Sequence, residues 1–150
     1  MTSSQRNLWT ALLAASAFAT LFSLSFVATP VKFMAENVPI AHLLAVGRVT
    51  FWASLVIESA LLAILFLTAC GRTRWRVAGA GTILFVQWVL IMPRLDERTL
   101  ARIAGYILEP SSLHHWWIIL DIARLGLYVL VLRRALLCLR SNQPNDALES

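Results

Sequence analysis

The chain has 150 residues, of which 59% are apolar and only 14% are charged, and its mean hydropathy is +0.71. A soluble globular domain has about 45–50% apolar and about 25% charged residues, so this composition argues against a soluble enzyme and a disordered chain. Two cysteines are too few for a disulfide-rich scaffold. The net charge of +5 comes from basic residues scattered between apolar blocks, which is not typical of a nucleic-acid-binding surface. The composition predicts one small integral membrane domain surrounded by the lipid bilayer.

Four apolar blocks follow one another along the chain. A helix needs about 20 mostly apolar residues to cross a hydrocarbon core about 30 Å thick. We expect four spans, at about 8–29, 49–69, 75–92 and 116–132. The sequence therefore predicts an all-α membrane protein, a four-helix transmembrane bundle. This bundle forms a single domain over residues 1–140, and a polar tail follows at 141–150.

The basic residues are unequally distributed between the two ends of this bundle. The end that holds both termini has seven of them, and the other end has five. Cytoplasmic loops of membrane proteins carry an excess of Lys and Arg. The sequence therefore predicts a multi-pass protein of the bacterial cell membrane with both termini in the cytoplasm.

The segments between the spans contain structural signals of their own. Pro39 is suited to the first turn of a helix, so the second helix can begin there and project beyond the bilayer. The third loop has apolar residues at helical spacing, which predicts a short amphipathic helix that lies on the outer surface or caps the bundle. These residues are Leu100, Ile103, Ala104, Ile107 and Leu108. Ser111 or Ser112 can then cap the last helix.

The first helix carries a small residue at every fourth position, and this pattern permits two helices to approach closely. The residues are Ala11, Ala15, Ala19 and Ser23. They are consistent with packing inside the bundle and also with a homo- or hetero-oligomer formed through the first helix. Both interpretations stay open at this point.

Three ionisable residues lie inside the predicted spans, where they are costly unless they face the interior of a bundle. Glu58 lies about 14 Å below the start of the second span, and Arg124 about 12 Å below the start of the fourth, at about 1.5 Å per residue. Both helices run in the same direction, so the two residues are level. Asp121 precedes Arg124 by three positions and shares its face of the helix.

These positions predict a buried ionic triad of Glu58, Arg124 and Asp121, whose hydrogen bonds are completed by Gln87 and Ser54. An arginine held by two carboxylates is satisfied, whereas a lone arginine in hydrocarbon costs several kcal/mol. One interpretation is that the triad has a structural role alone and fixes which helices pack together. Alternatively it can be a proton or ion relay, a pocket for a polar solute, or a carboxylate site for a metal.

Histidines near the outer end of the bundle are candidates for a cofactor site. His114 lies on the same helical face as Asp121 and is expected near His42 and near Arg48 or Arg94. His42, His114 and His115 could ligate a divalent metal or a haem edge. Their spacing matches no ligand motif, however, and the His-His-Trp-Trp run is also typical of an interfacial belt. We therefore predict no cofactor.

Short motifs in the sequence resemble a family of four-span membrane proteins related to the eukaryotic transmembrane protein associated with drug resistance. The motifs are Phe26-Val27-Ala28-Thr29-Pro30, Val46-Gly47-Arg48-Val49-Thr50-Phe51, Pro93-Arg94-x-x-x-Arg98, and a histidine, His114 or His115, before the fourth helix. This resemblance implies a four-span fold and no defined activity. A weaker resemblance, to anthrone-oxygenase-like membrane proteins, implies an oxygenase.

No nucleophile elbow, phosphate loop or paired-cysteine motif occurs, so the sequence gives no positive sign of catalysis. The leading hypothesis is a small membrane protein that binds or moves a small polar or cationic solute. Its candidate binding residues are Glu58, Asp121, Arg124, Gln87, His114 and Arg48. The alternatives are a membrane enzyme or redox subunit with a His-ligated cofactor, and a structural accessory subunit.

Overall fold

The computed structural model describes residues 2–141, and every regular element within them is helical. The predicted polar tail lies outside the described residues except for Ser141. Helix α1 covers Ser3–Leu21 and continues through a π-helical segment, Phe22–Ala28, and a final turn, Thr29–Lys32. Helix α2 covers Ile40–Thr68. Helix α3 comprises Arg72–Val86, a π-helical segment, Gln87–Ile91, and Met92–Ile103; helix α4 covers Leu113–Ser141.

The helices α1, α2 and α3 are each long and apolar enough to cross a membrane. Large apolar side chains are exposed along the outside of the bundle, among them Val49, Leu67 and Phe85, each at least 66% exposed. In water this surface would be unfavourable, but in a bilayer the same side chains contact lipid. The length of the helices and this apolar periphery indicate an integral membrane protein.

The helices pack so that each contacts the next along the chain, and α1 also packs extensively against α4. The α1–α4 contact is close because fully buried alanines, Ala14 and Ala17, lie on the inner face of α1. The apolar interior of the bundle includes Leu21, Leu55 and Val131 together with these alanines.

The inner face of α1 differs from the predicted stripe of small residues. Of that stripe, Ala11 is buried, Ala15 is half-buried, and Ala19 and Ser23 are exposed. Packing inside the bundle therefore uses mainly the neighbouring face, which includes Ala14 and Ala17. An oligomer formed through the stripe stays a prediction.

The third loop is only partly helical, so the predicted separate amphipathic helix is wrong in its extent. Helix α3 continues without a break to Ile103, and residues 104–112 are not helical. The helix ends because Gly105 takes a left-handed conformation with φ +90°, and the N–H of Tyr106 donates to the carbonyl of Ala101. This is a Schellman cap. Ile107 lies beyond it and is fully exposed.

The predicted starts of two helices agree with the structure. Helix α2 begins at Ile40, directly after Pro39. At the start of α4, the backbone N–H of Leu113 donates to Oγ of Ser111 over 3.2 Å. Both helix starts could be predicted from local sequence. A proline suits the first turn of a helix, and a serine oxygen can accept a hydrogen bond from one of its free N–H groups.

Candidate functional site

The predicted ion pairs of Arg124 are present in the middle of the bundle. The Nη1 atom of Arg124 donates to Oε2 of Glu58 over 2.7 Å, and its Nη2 atom donates to Oδ1 of Asp121 over 2.7 Å. All three side chains are 1% exposed. Because Glu58 belongs to α2 and the other two residues to α4, the triad joins these helices across the interior.

Two neutral side chains extend the triad, also as predicted. Nε2 of Gln87 donates to Oδ1 of Asp121 over 2.9 Å and to the carbonyl of Trp117 over 3.3 Å. Oγ of Ser54 donates to Oε1 of Glu58 over 2.9 Å. Gln87 is the first residue of the π-helical segment in α3, and π-helical turns occur frequently at functional sites. The cluster thereby connects α2, α3 and α4.

The cluster has hydrogen-bonding capacity beyond these contacts. Its two carboxylates and one guanidinium give an excess formal charge of −1. Several buried polar atoms in and beside it have no partner among residues 2–141, and they include both donors and acceptors. They are Gln87 Oε1, Trp117 Nε1, Asp121 Oδ2, Arg124 Nε and the Tyr128 hydroxyl. Buried polar groups are normally satisfied, so such a group of atoms suits the binding of a further polar molecule.

A cavity of about 420 Å³ lies between α1, α2 and α4, and we call it the inner cavity. Its ionisable lining residues are Asp121 and His114. Four aromatic side chains also line it: Phe26, Phe33, Phe51 and Trp117. The rings of Phe51 and Trp117 meet edge to face, with their centroids 5.4 Å apart. Aromatic side chains and Asp121 of the cluster therefore line the same cavity.

A second cavity, of about 390 Å³, lies at the end of the bundle where α1 and α3 end and α2 and α4 begin; we call it the outer cavity. It shares Thr29, Phe33, Phe51 and His114 with the inner cavity. Arg48 lines it and forms an ion pair with Asp96, in which Nη2 donates to Oδ2 over 3.1 Å.

The six predicted binding residues thus separate into two groups. Glu58, Asp121, Arg124 and Gln87 form the buried cluster, whereas Arg48 and His114 line the outer cavity. His114 also reaches the inner cavity. The side chain of His114 is exposed by its accessible surface, and its partial burial lowers its pKa. The charges of His115 and Lys32 lower this pKa further, and Asp121 acts in the opposite direction.

The histidines are not gathered into a metal centre within the part of the chain that the structure describes. No group of three or more His, Cys, Asp or Glu side chains that could hold a metal ion occurs there. His42, His114 and His115 are all exposed, near the starts of α2 and α4.

Several residues of the outer cavity were not predicted from the sequence, notably Lys32, Asp96 and Arg102. They come from two helices whose relative placement depends on where each helix ends. One local signal was available at Gly47, because a glycine inside a long apolar helix indicates that something approaches its backbone closely. The structure shows that the approaching group is the side chain of Lys32.

A comparison of the chain with protein-family models, with curated proteins and with solved structures finds no match. The resemblance to four-span membrane families stays a prediction carried by its short motifs.

Proposed function

We propose that the protein is a four-span integral membrane protein that binds a small amphiphilic cation in the inner cavity, at Asp121. The observation that carries this proposal is the environment of one oxygen atom. Oδ2 of Asp121 is buried and has no hydrogen-bond partner within residues 2–141, and Asp121 lines the aromatic inner cavity. A carboxylate oxygen in such a place accepts a hydrogen bond from, or pairs with, a cationic solute.

The membrane arrangement is the first part of the proposal. Helix α4 has 29 residues, as many as α2, and is long enough to serve as a fourth span. Its two mid-helix charges, Asp121 and Arg124, are buried, and Arg124 pairs with both Asp121 and Glu58. Charged residues in this arrangement are compatible with a spanning helix. Together with the distribution of basic residues, this supports four spans with both termini in the cytoplasm of a bacterial cell.

The charge and the wall of the inner cavity support a cation as the solute. The cluster at its base has an excess formal charge of −1. Aromatic faces attract cations, and the attraction increases when water is excluded. A solute with a quaternary or protonated amine and an apolar group therefore matches both the carboxylate and the rings of Phe26 and Trp117.

Binding of benzyltrimethylammonium to the protein in lipid nanodiscs tests this proposal. Titration calorimetry should show saturable binding by the wild type, and Asp121→Asn should weaken it by about tenfold or more because one buried charge pair is lost. Glu97→Gln is the matched control, since it removes a carboxylate that is exposed and outside the inner cavity. Its affinity should equal that of the wild type.

Two results would contradict the proposal. One is equal affinity of the wild type and Asp121→Asn, with helicity unchanged by circular dichroism. The other is equally tight binding of neopentylbenzene, the uncharged isostere of the cation, because the carboxylate would then contribute nothing. The visible spectrum and metal content of the same sample separately test the alternative of a His-ligated cofactor.

A further inference from the structure

The outer cavity has a charge opposite to that of the buried cluster. Four basic side chains and one acidic side chain line it: Lys32, Arg48, Arg98, Arg102 and Asp96. With His114 neutral, its excess formal charge is therefore +3. Much of the remaining wall is apolar and includes Phe33, Leu44 and Met92.

We propose that the outer cavity binds an amphiphilic anion, a molecule with a phosphate or carboxylate head and an apolar chain. The head pairs with Lys32 and Arg102, and the chain lies against the apolar wall. The two cavities share part of their walls, but Lys32 and Arg102 line only the outer cavity and Asp121 lines only the inner one, so this inference does not depend on the cation site.

Two of the four basic groups are already engaged by the protein, and this identifies the two that can hold a ligand. Arg48 pairs with Asp96 and so joins α2 to α3. The guanidinium of Arg98 donates to the carbonyl of Glu109 and so fixes the connection between α3 and α4. Lys32 and Arg102 form no ion pair within residues 2–141.

Lys32 is held in place by the surface of α2. A Cβ atom built at Gly47 would collide with Nζ of Lys32, so the ammonium group lies where α2 has no side chain. The same Nζ lies 5.0 Å from the ring centroid of Phe33 and 5.7 Å from that of Phe51. Cation–π contacts of this kind orient the lysine at the border between the apolar wall and the charged rim.

The location of the cavity fits a ligand of this chemistry. It is formed where four helices end or begin, which in a four-span protein is the region of the lipid headgroups. Basic pockets between transmembrane helices bind anionic lipid headgroups. A phospholipid of the bilayer and a soluble amphiphile present the same head and chain, so both satisfy the chemistry.

Native mass spectrometry of the protein in neutral detergent tests this inference. The sample contains equimolar dioleoylphosphatidylglycerol and dioleoylphosphatidylcholine, which differ in head charge and share the same chains. We expect the wild type to retain the anionic lipid with a preference of at least about fivefold. Lys32→Gln with Arg102→Gln should abolish the preference. Arg94→Gln with Arg133→Gln, which removes two exposed arginines outside the cavity, should preserve it.

Each result has a defined meaning. Retained preference in the Lys32/Arg102 variant, or equal loss in both double variants, overturns the inference, because binding would then not depend on this cavity. Competition by octyl phosphate supports a site open to soluble amphiphiles, and retention of the lipid against octyl phosphate supports a bilayer lipid as the source. Equal competition by inorganic phosphate overturns the role of the apolar wall.

A second variant is used if the Lys32/Arg102 variant loses its helical circular dichroism. Gly47→Ala keeps both charges but displaces the side chain of Lys32. Unchanged lipid preference in Gly47→Ala overturns the role of Lys32.

Discussion

Nη1 of Arg124 lies 2.7 Å from Oε2 of Glu58, and the two residues are 66 positions apart in the chain. Both side chains are 1% exposed, so neither charge can exchange its partner for water without movement of a helix. Removing one member of a buried pair leaves the other charge uncompensated, whereas removing both does not. The stability of the bundle should therefore depend on the two residues jointly.

A double-mutant cycle measures this dependence. We expect Glu58→Gln and Arg124→Gln each to lower the free energy of unfolding by about 1–5 kcal/mol, and the double variant to lose less than the sum. Chemical unfolding in detergent micelles, followed by circular dichroism, gives the values. As a control, Glu58→Gln combined with Arg133→Gln should be additive, because Arg133 is exposed and outside the cluster. Additive losses for Glu58 and Arg124 would show that they are not coupled.

The triad could be predicted from the sequence because depth in a bilayer follows directly from residue number. Two charged residues at the same depth in helices of the same direction have few partners other than each other. The outer cavity could not be predicted in this way. Its shape depends on where α3 ends, and the apolar spacing that continues to Leu108 concealed the stop at Gly105. A glycine after a helical pattern is itself a stop signal, and here it outweighs the periodicity.

The arrangement of four spans predicts opposite locations for two points of the chain. A reporter fused after Arg140 should lie in the cytoplasm, and one fused after Gly105 should lie on the other side of the membrane. Alkaline phosphatase and green fluorescent protein are active on opposite sides and give complementary readings. A fusion after Gly71 serves as an internal control and should agree with the one after Arg140. Agreement between the Gly105 and Arg140 fusions would rule out the arrangement.

Gly47→Ala should displace the side chain of Lys32 and leave the fold intact. The added methyl group would occupy the position of Nζ, but a lysine end is flexible and can move aside. We therefore expect a change in unfolding free energy of less than about 1 kcal/mol together with loss of the preference for an anionic lipid. Gly126→Ala is the control, since its Cβ would meet nothing. A large loss of stability in Gly47→Ala would mean that α2 itself must shift.

Stability should fall as the pH is lowered through the range in which histidine titrates. The folded protein lowers the pKa of His114 from its ordinary value of 6.5, so the unfolded state binds the proton more readily. Neutral His114 contributes fully to the free energy of unfolding above about pH 6.5. This contribution is lost as the pH falls from there toward the lower pKa of the folded state. The thermal midpoint of His114→Gln should decrease less between pH 7 and pH 5 than that of the wild type. His42→Gln, which lines neither cavity, provides the comparison; an equal decrease in His114→Gln and the wild type would exclude this histidine as the cause.

The buried cluster also has a consequence for how the protein is made. In the four-span arrangement, α4 leaves the ribosome after α2, when Glu58 on α2 is already in the bilayer. Arg124 can therefore pair with Glu58 as soon as α4 inserts, and it is not exposed to lipid without this counter-ion. If the order of synthesis were reversed, Arg124 would enter with only the neighbouring Asp121 to neutralise it, and Glu58 would arrive without a partner. A circular permutant that places α4 before α2 should therefore insert poorly and be degraded in the cell, although its final contacts would be the same.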